Sequence, residues 1–229
     1  MSIQRFFLGD KDIPLGGYIN AIREWFEWAT STSENWGPGE HPLTVSHGDW
    51  FKYGEKDNVI FVGTHWDGRE LDNLCRSCEC ESGKSLLINI ISAAISPEEH
   101  PEQFPKPLAL ALKNPRDIIN RAIDNINHAQ GAVCIRKDKQ TPEWFFTEDL
   151  DRIKPQDLLQ LEIAPHLMSE DSILYKGGKI TAACDGLWLF LKEIDAGNYT
   201  IHINARSPMF NGYDSETFHS QATYDLTVK

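Results

Sequence analysis

Long apolar runs are missing from this chain. No stretch approaches the roughly 18 consecutive apolar residues of a membrane span. Near the start, Phe6-Phe7-Leu8 is the longest apolar run before charge returns, short of the about 7–15 residues that a signal peptide needs. With Met at position 1, this points to a cytoplasmic protein. Basic clusters are missing too. Lys and Arg total 22 against 34 Asp and Glu, for a net charge of −12. That balance argues against nucleic acid and membrane surfaces as partners, because both are gripped by clustered Lys and Arg. Cysteine is sparse, with five in 229 residues, so a disulfide scaffold is excluded. An odd number with three of them clustered suits a reducing compartment. There is no internal repeat, no Gly-x-Ser-x-Gly nucleophile elbow and no His-x-His or His-x-x-x-His pair. Gly83-Lys84-Ser85 looks like the end of a phosphate loop, but Cys78 stands at the position of the first glycine and a strand pattern follows, which excludes nucleotide binding.

What the chain does have is two-residue alternation. Leu187, Leu189 and Leu191 fall on one face of an extended segment, and Trp188, Phe190 and Lys192 on the other. Tyr199, Ile201, Ile203 and Ala205 then alternate with Thr200, His202 and Asn204. A period of two buries one side only if the backbone is extended. Asp195-Ala196-Gly197-Asn198 between them supplies turn residues, so the two segments read as a hairpin with Gly197 at positive φ. The final segment alternates again, with Phe218, Ala222, Tyr224, Leu226 and Val228 inward. Asn58–Gly63, Ser85–Ser92, Ala132–Arg136 and Leu158–Ile163 read as further strands. In Ser85–Ser92 both faces are apolar, as in a central strand. Lys176-Gly177-Gly178-Lys179 reads as a two-residue turn joining Ile173–Tyr175 to Ile180–Ala183.

Two segments carry helical spacing instead. In 17–30, Tyr18, Ile22, Trp25, Phe26 and Ala29 form an apolar stripe flanked by Trp28, suited to lie across the open face of a sheet. In 115–129, Asn114 is placed to cap, Pro115 opens the first turn, and Ile119, Ala122, Ile123 and Ile126 make the stripe. Gly131 stands where a left-handed terminating residue is wanted. The expectation is one mainly β domain over residues 1–229, an antiparallel β-sandwich of plain or jelly-roll type with two peripheral helices.

Some of these segments resemble a family of uncharacterised microbial proteins. Arg76-Ser-Cys78-Glu-Cys-Glu-Ser-Gly83-Lys84-Ser-Leu-Leu is similar to its R-x-C-x-V-P-x-G-K-A-L-x-F-P segment. Asp185-Gly186-Leu-Trp188, continuing to Gly197-Asn-Tyr-Thr-Ile201, resembles its D-G-x-W-x-x-L-x-P-L-x-x-G-x-H-T-I hairpin. Tyr224–Val228 looks like its last strand. Trp25-Phe-Glu-Trp28 with Val59–Gly63 looks like its tryptophan helix and following strand. The resemblance implies a shared fold and brings no activity with it; members often look secreted, and this chain differs in its Glu81, Cys75 and Cys80.

The residues that carry chemistry are few. Cys75-x-x-Cys78-x-Cys80 has spacing that zinc uses, yet a structural site wants four ligands. Cys134, Cys184 or a histidine would have to complete it, and on a strand Cys78 and Cys80 share a face that Cys75 does not extend. The plain alternative is that Cys78 and Cys80 are small buried residues, and a disulfide involving Cys78 stands between the two. His65, Asp67 and Arg69 form the densest polar cluster, next to a strand end, and suit acid–base work or anion binding if His47 or His202 joins them. The alternative is a solvated loop with a local ion pair. Asp149 and Asp151 alternate as calcium ligands do, but Ile153, Lys154 and Gln160 break the EF-hand pattern. Trp36, Trp50 and Trp66 fall off any periodic face, and tryptophans so placed either stack on sugars or apolar ligands or pack under the long 31–58 loop. Two functions follow as expectations. The first is a non-enzymatic binding module for a small molecule, a glycan or a protein, using a shallow aromatic surface with Trp50, Trp66, His47 and His202, needing no cofactor and open to homo-oligomerisation. The second is a small-molecule enzyme built on His65, Asp67 and Arg69.

Overall fold

The computed structural model describes residues 3–30, 43, 54–64, 75–98, 115–154, 157–165, 176–208 and 217–229. The protein is mainly β; the described residues form two α-helices and two mixed sheets in a sandwich-like arrangement. In chain order the elements are α1 (Tyr18–Thr30), β1 (Glu55–Lys56), β2 (Val59–Val62), β3 (Cys75–Cys80), β4 (Ser85–Ile95), α2 (Pro115–Ile126), β5 (Gln130–Lys137), β6 (Glu143–Phe146), β7 (Asp151–Ile153), β8 (Leu159–Ile163), β9 (Gly178–Leu191), β10 (Gly197–Pro208) and β11 (Thr217–Val228). The first sheet runs β1-β2-β4-β9, with β7 and β8 in succession along the far edge of β9. The second runs β3-β11-β10-β5-β6. Most pairs are antiparallel; β2–β4 and β3–β11 are parallel, one in each sheet.

Between the sheets, Val133, Ile135, Ile201, Ile203 and Leu226 of the second meet a first sheet whose β2 and β4 are almost wholly buried. The layers come closest at Gly131. A Cβ there would lie 2.5 Å from Cγ2 of Ile90. Gly131 is therefore a strand residue that admits the facing sheet, and it does not terminate α2, which ends at Ile126. The stripe of α2 is also shifted from expectation: Ile118, Ala122 and Ile126 are buried while Ile119 and Ile123 are half-buried. Ile118 and Ala122 pack on Ile95 and Ala183.

On the outer side of the first sheet lies α1. Its Trp25 and Phe26 meet Trp188 of β9 edge to face, with ring centroids 5.3 and 5.9 Å apart, and Tyr18 meets Phe190 at 5.6 Å. This is why both faces of β9 are apolar: Trp188 and Phe190 lie under the helix, and Leu187, Leu189 and Leu191 turn toward the second sheet.

The segments Asp185–Leu191 and Tyr199–Ala205 do not form a hairpin. β9 pairs with β4, and β10 pairs with β5 and β11 in the other sheet. Lys192–Ala196 carries the chain across. That link runs beside the β3–β4 connection: Gly83 N donates to Ile194 O (3.0 Å) and Ile194 N to Lys84 O (2.9 Å). The turn chemistry was real but serves the start of β10. Gly197 has φ +148°, where an added Cβ would strike the side chain of Lys137 at 2.7 Å. Of the expected Lys176–Lys179 turn, Gly177 has positive φ and β9 pairs with β8; Ile173–Tyr175 lie outside the described residues.

Candidate binding face

Strand alternation in the second sheet leaves one face to solvent. Across its width the register aligns Trp144 of β6, Cys134 of β5, His202 of β10, Thr223 of β11 and Cys75 of β3. A second row holds Phe146, Ala132, Asn204 and Gln221. Trp144 and Phe146 are 55% and 48% exposed, on the outer strand of the sheet. Their rings lie parallel within 5°, with centroids 5.8 Å apart. Side chains two apart on a strand share a face, so this ridge follows directly from the Trp-Phe-Phe sequence: Phe145 is buried and its neighbours must point out.

The polar groups beside the ridge are held in place. His202 Nδ1 lies 2.9 Å from Thr223 Oγ1, and Thr200 Oγ1 donates to Asp225 at 3.1 Å. Arg206 Nε donates to Gln130 Oε1 at 2.9 Å. Cys134, flanked by Trp144 and His202, is small enough to be covered, and burial pushes its thiol pKa up against the pull of Arg136. The free edge of β6 is blunted, because Phe146 N donates to Asp149 Oδ2 at 3.0 Å.

Of the residues singled out in the sequence, His47, Trp50, His65, Trp66, Asp67 and Arg69 lie outside the described residues, and so does Trp36. His202 faces outward on the sheet described above. Cys78 is buried and Cys80 half-buried on the inner side of β3, while Cys75 is exposed on the other side, its thiol 3.8 Å from Asp225 Oδ2. Cys134 lies three strands away in the same sheet, and Cys184 belongs to the other sheet. Alternation thus separates the five thiols. Among the described residues no group of three or more His, Cys, Asp or Glu stands close enough to hold a metal. Burial pushes the Cys80 thiol up to about 11 and the Cys184 thiol well above its ordinary value. Asp149 and Asp151 have separate roles, the first capping Phe146 N and the second accepting from Tyr18 Oη at 2.8 Å.

Three buried polar contacts were not anticipated. Asp185 is fully buried and paired with Arg152 at 2.8 Å, and the same Nη2 donates to Ile123 O at 3.0 Å. A cation at those last carbonyls also suits the negative end of α2. Arg76 is wholly buried, its Nη1 donating to Gly63 O (3.0 Å) and to the Tyr224 hydroxyl, which itself donates to Gly63 O. Tyr18, which donates to Asp151, borders a cavity of about 530 Å³ lined also by Ile13, Ile22, Arg23, Lys154 and Leu159. Burial pushes both groups up, the phenol far beyond its usual range and the carboxyl above its own. Locked to each other, they brace α1 on β7.

These contacts also account for the motif residues. Asp185 holds Arg152, Trp188 fills the space beneath α1, and Gly186 leaves room for both the β4 bulge and the indole. No family model and no curated protein matches the chain. Among solved structures, it is similar to a chain in the structure of PbICP-C in complex with falcipain-2, at 12% identity and a TM-score of 0.27, over 75% of this chain and 98% of that one. No helix among the described residues is long and apolar enough to cross a membrane.

Proposed function

We propose that this protein is a non-enzymatic binding module and that the outer face of its second sheet, centred on Trp144 and Phe146, is the contact surface. The observation that supports this reading is the exposed pair of parallel rings on a rigid strand. Two large aromatics side by side in water carry a cost that the fold does not require, and such patches mark recognition sites. The surrounding groups fit recognition better than catalysis. His202 faces Thr223 on an open sheet, and the titratable groups beside it in the register are a covered thiol, Cys134, and a carboxylate that already holds Thr200, Asp225. The rings sit on a strand anchored by the buried Phe145, so the surface is preorganised and binding costs little ordering.

The test is a pair of glycan and peptide arrays probed with the wild-type protein and with a Trp144→Ala/Phe146→Ala variant. A ligand class bound by the wild type and lost in the variant is the expected result. Binding that the double substitution leaves unchanged refutes the assignment of this face.

A further inference from the structure

We infer that the occupant of this face is an extended oligosaccharide carrying carboxylates, its sugar rings on the Trp144–Phe146 ridge and its acids toward Arg136 and Arg206. The inference rests on the reading of the face as a binding surface and adds the chemistry of the ligand. Three observations lead to it. The first is charge. The chain has 34 acidic residues and a net charge of −12, yet the outward positions of β6, β5 and β10 hold no carboxylate and two arginines; the carboxylates of this face lie beyond β10, where Asp225 of β11, in the row of Arg136, holds Thr200, and Glu79 of β3 pairs with Lys229. Between those arginines the outward side chains, among them Ala132, Cys134, Thr200, His202 and Asn204, carry no fixed charge.

The second is spacing. Arg136 lies opposite Thr200, and Arg206 lies six residues further along β10. At the rise of an extended strand this separates the two cations by roughly 20 Å. A ligand touching both must lie along the strands and exceed a single sugar ring. Arg206 is already oriented by Gln130, which takes its Nε and Nη2 and leaves other donors of the guanidinium fork for a carboxylate.

The third separates a sugar chain from a peptide. An extended peptide would gain most by adding to the β6 edge through backbone hydrogen bonds, and Asp149 occupies the Phe146 N–H there. Recognition therefore falls to the side-chain face, where aromatic rings take sugar C–H surfaces and Asn204 and His202 take hydroxyls.

The experiment is isothermal titration of the full chain with three probes: oligogalacturonate, a neutral galactan oligosaccharide and polyglutamate. Each is run on the wild type, Trp144→Ala and Arg136→Gln/Arg206→Gln. All substituted groups are exposed, and urea unfolding checks that each variant keeps its fold. Oligogalacturonate should bind the wild type, with affinity falling about tenfold or more in Trp144→Ala, as for an aromatic anchor. The arginine variant should lose about tenfold for oligogalacturonate and nothing for galactan. Galactan binding as tightly as oligogalacturonate, or an arginine variant that binds both unchanged, overturns the acidic ligand. Polyglutamate binding as tightly overturns the sugar. In either case a Trp144→Ala loss leaves the face itself standing. If no probe binds in a Trp144-dependent way, an acidic glycan found on the arrays and lost in the double variant upholds the inference, and any other ligand so lost overturns it while the face stands. If the arrays are silent as well, both fall.

Discussion

Gly186 offers a quantitative test of how the first sheet is packed. Its backbone is ordinary for any residue, so conformational freedom is not what glycine provides here. Space is. A Cβ at this position would lie 2.8 Å from Ile91 O, 2.8 Å from Ser92 Cβ and 2.9 Å from Trp188 Nε1. None of these atoms can withdraw. The carbonyl and the Cβ belong to β4, next to its bulge between Asn89 and Ile91, and the indole is held by Trp25 and Phe26. Overpacking costs about 1–3 kcal/mol, and with three rigid neighbours Gly186→Ala should fall near about 3. For a chain of this size that is a drop in Tm of roughly 6–12 °C and a urea midpoint lower by about 1 M. Gly83→Ala is the matched control. Gly83 has φ +81° and nothing within 4 Å of its would-be Cβ, so the cost is backbone strain alone, about 1 kcal/mol. Equilibrium urea unfolding of both variants gives the comparison, and near-UV circular dichroism reports the Trp188 environment. A Gly186→Ala protein within about 0.5 kcal/mol of wild type, the range of an ordinary surface change, or one no worse than Gly83→Ala with an unaltered aromatic spectrum, refutes the packing argument.

Three more outcomes are expected. Burial pushes the Asp151 carboxyl up, so the native state takes a proton more readily than the unfolded chain; stability therefore falls as pH rises from the ordinary carboxylate value, about 4, through the raised one. Asp151→Asn should flatten that slope in urea unfolding across the same pH range, with the residual slope assigned to Asp185, which is shifted the same way; a slope identical to wild type refutes the assignment. Tyr224→Phe should cost about 1–3 kcal/mol, because Arg76 Nη1 and Gly63 O lose a shared hydroxyl in the core, and a thermal melt indistinguishable from wild type argues against that network. Under native conditions Cys75 should react first with a thiol reagent, since Cys78, Cys134 and Cys184 are buried and the Cys80 thiol is pushed up to about 11; Cys75→Ser should then remove the fast phase, and a fast phase that survives it shows another thiol to be exposed.

Alternation made β10 and β11 legible because each is long and its two faces meet different surroundings, whereas β4 was legible as an unbroken apolar run. On β10, Tyr199, Ile201, Ile203 and Ala205 are buried, and His202 and Asn204 are exposed, as the two-residue period requires. The same rule says nothing about which strand lies alongside. Five residues, Lys192–Ala196, separate β9 from β10, a length that a hairpin and a crossing between sheets share, and the turn residues at Gly197 suit either. Local pattern misplaced Gly131 for a related reason. A glycine just after a helical stripe and a glycine that admits Ile90 from a facing sheet are the same letter, and only the distance to the other layer separates them.

The contacts that matter most to the site lie further from sequence. Nothing local marks Arg76 for burial: the other inward residues of its strand are cysteines, and its place in the core depends on Tyr224, 148 positions away. A charged side chain enters a core only where partners already wait for it, and such partners leave no local period. The aromatic ridge is different, because its signal was present. Trp36, Trp50 and Trp66 stand out in the sequence because they lie outside periodic segments, whereas the exposed pair sits inside a strand. In Glu143-Trp144-Phe145-Phe146 every apolar side chain is aromatic, so whichever face is buried, an aromatic must point outward. Where the fold buries Phe145, Trp144 and Phe146 must both turn outward, and that consequence of a four-residue strand could be read from the sequence once the buried face was known.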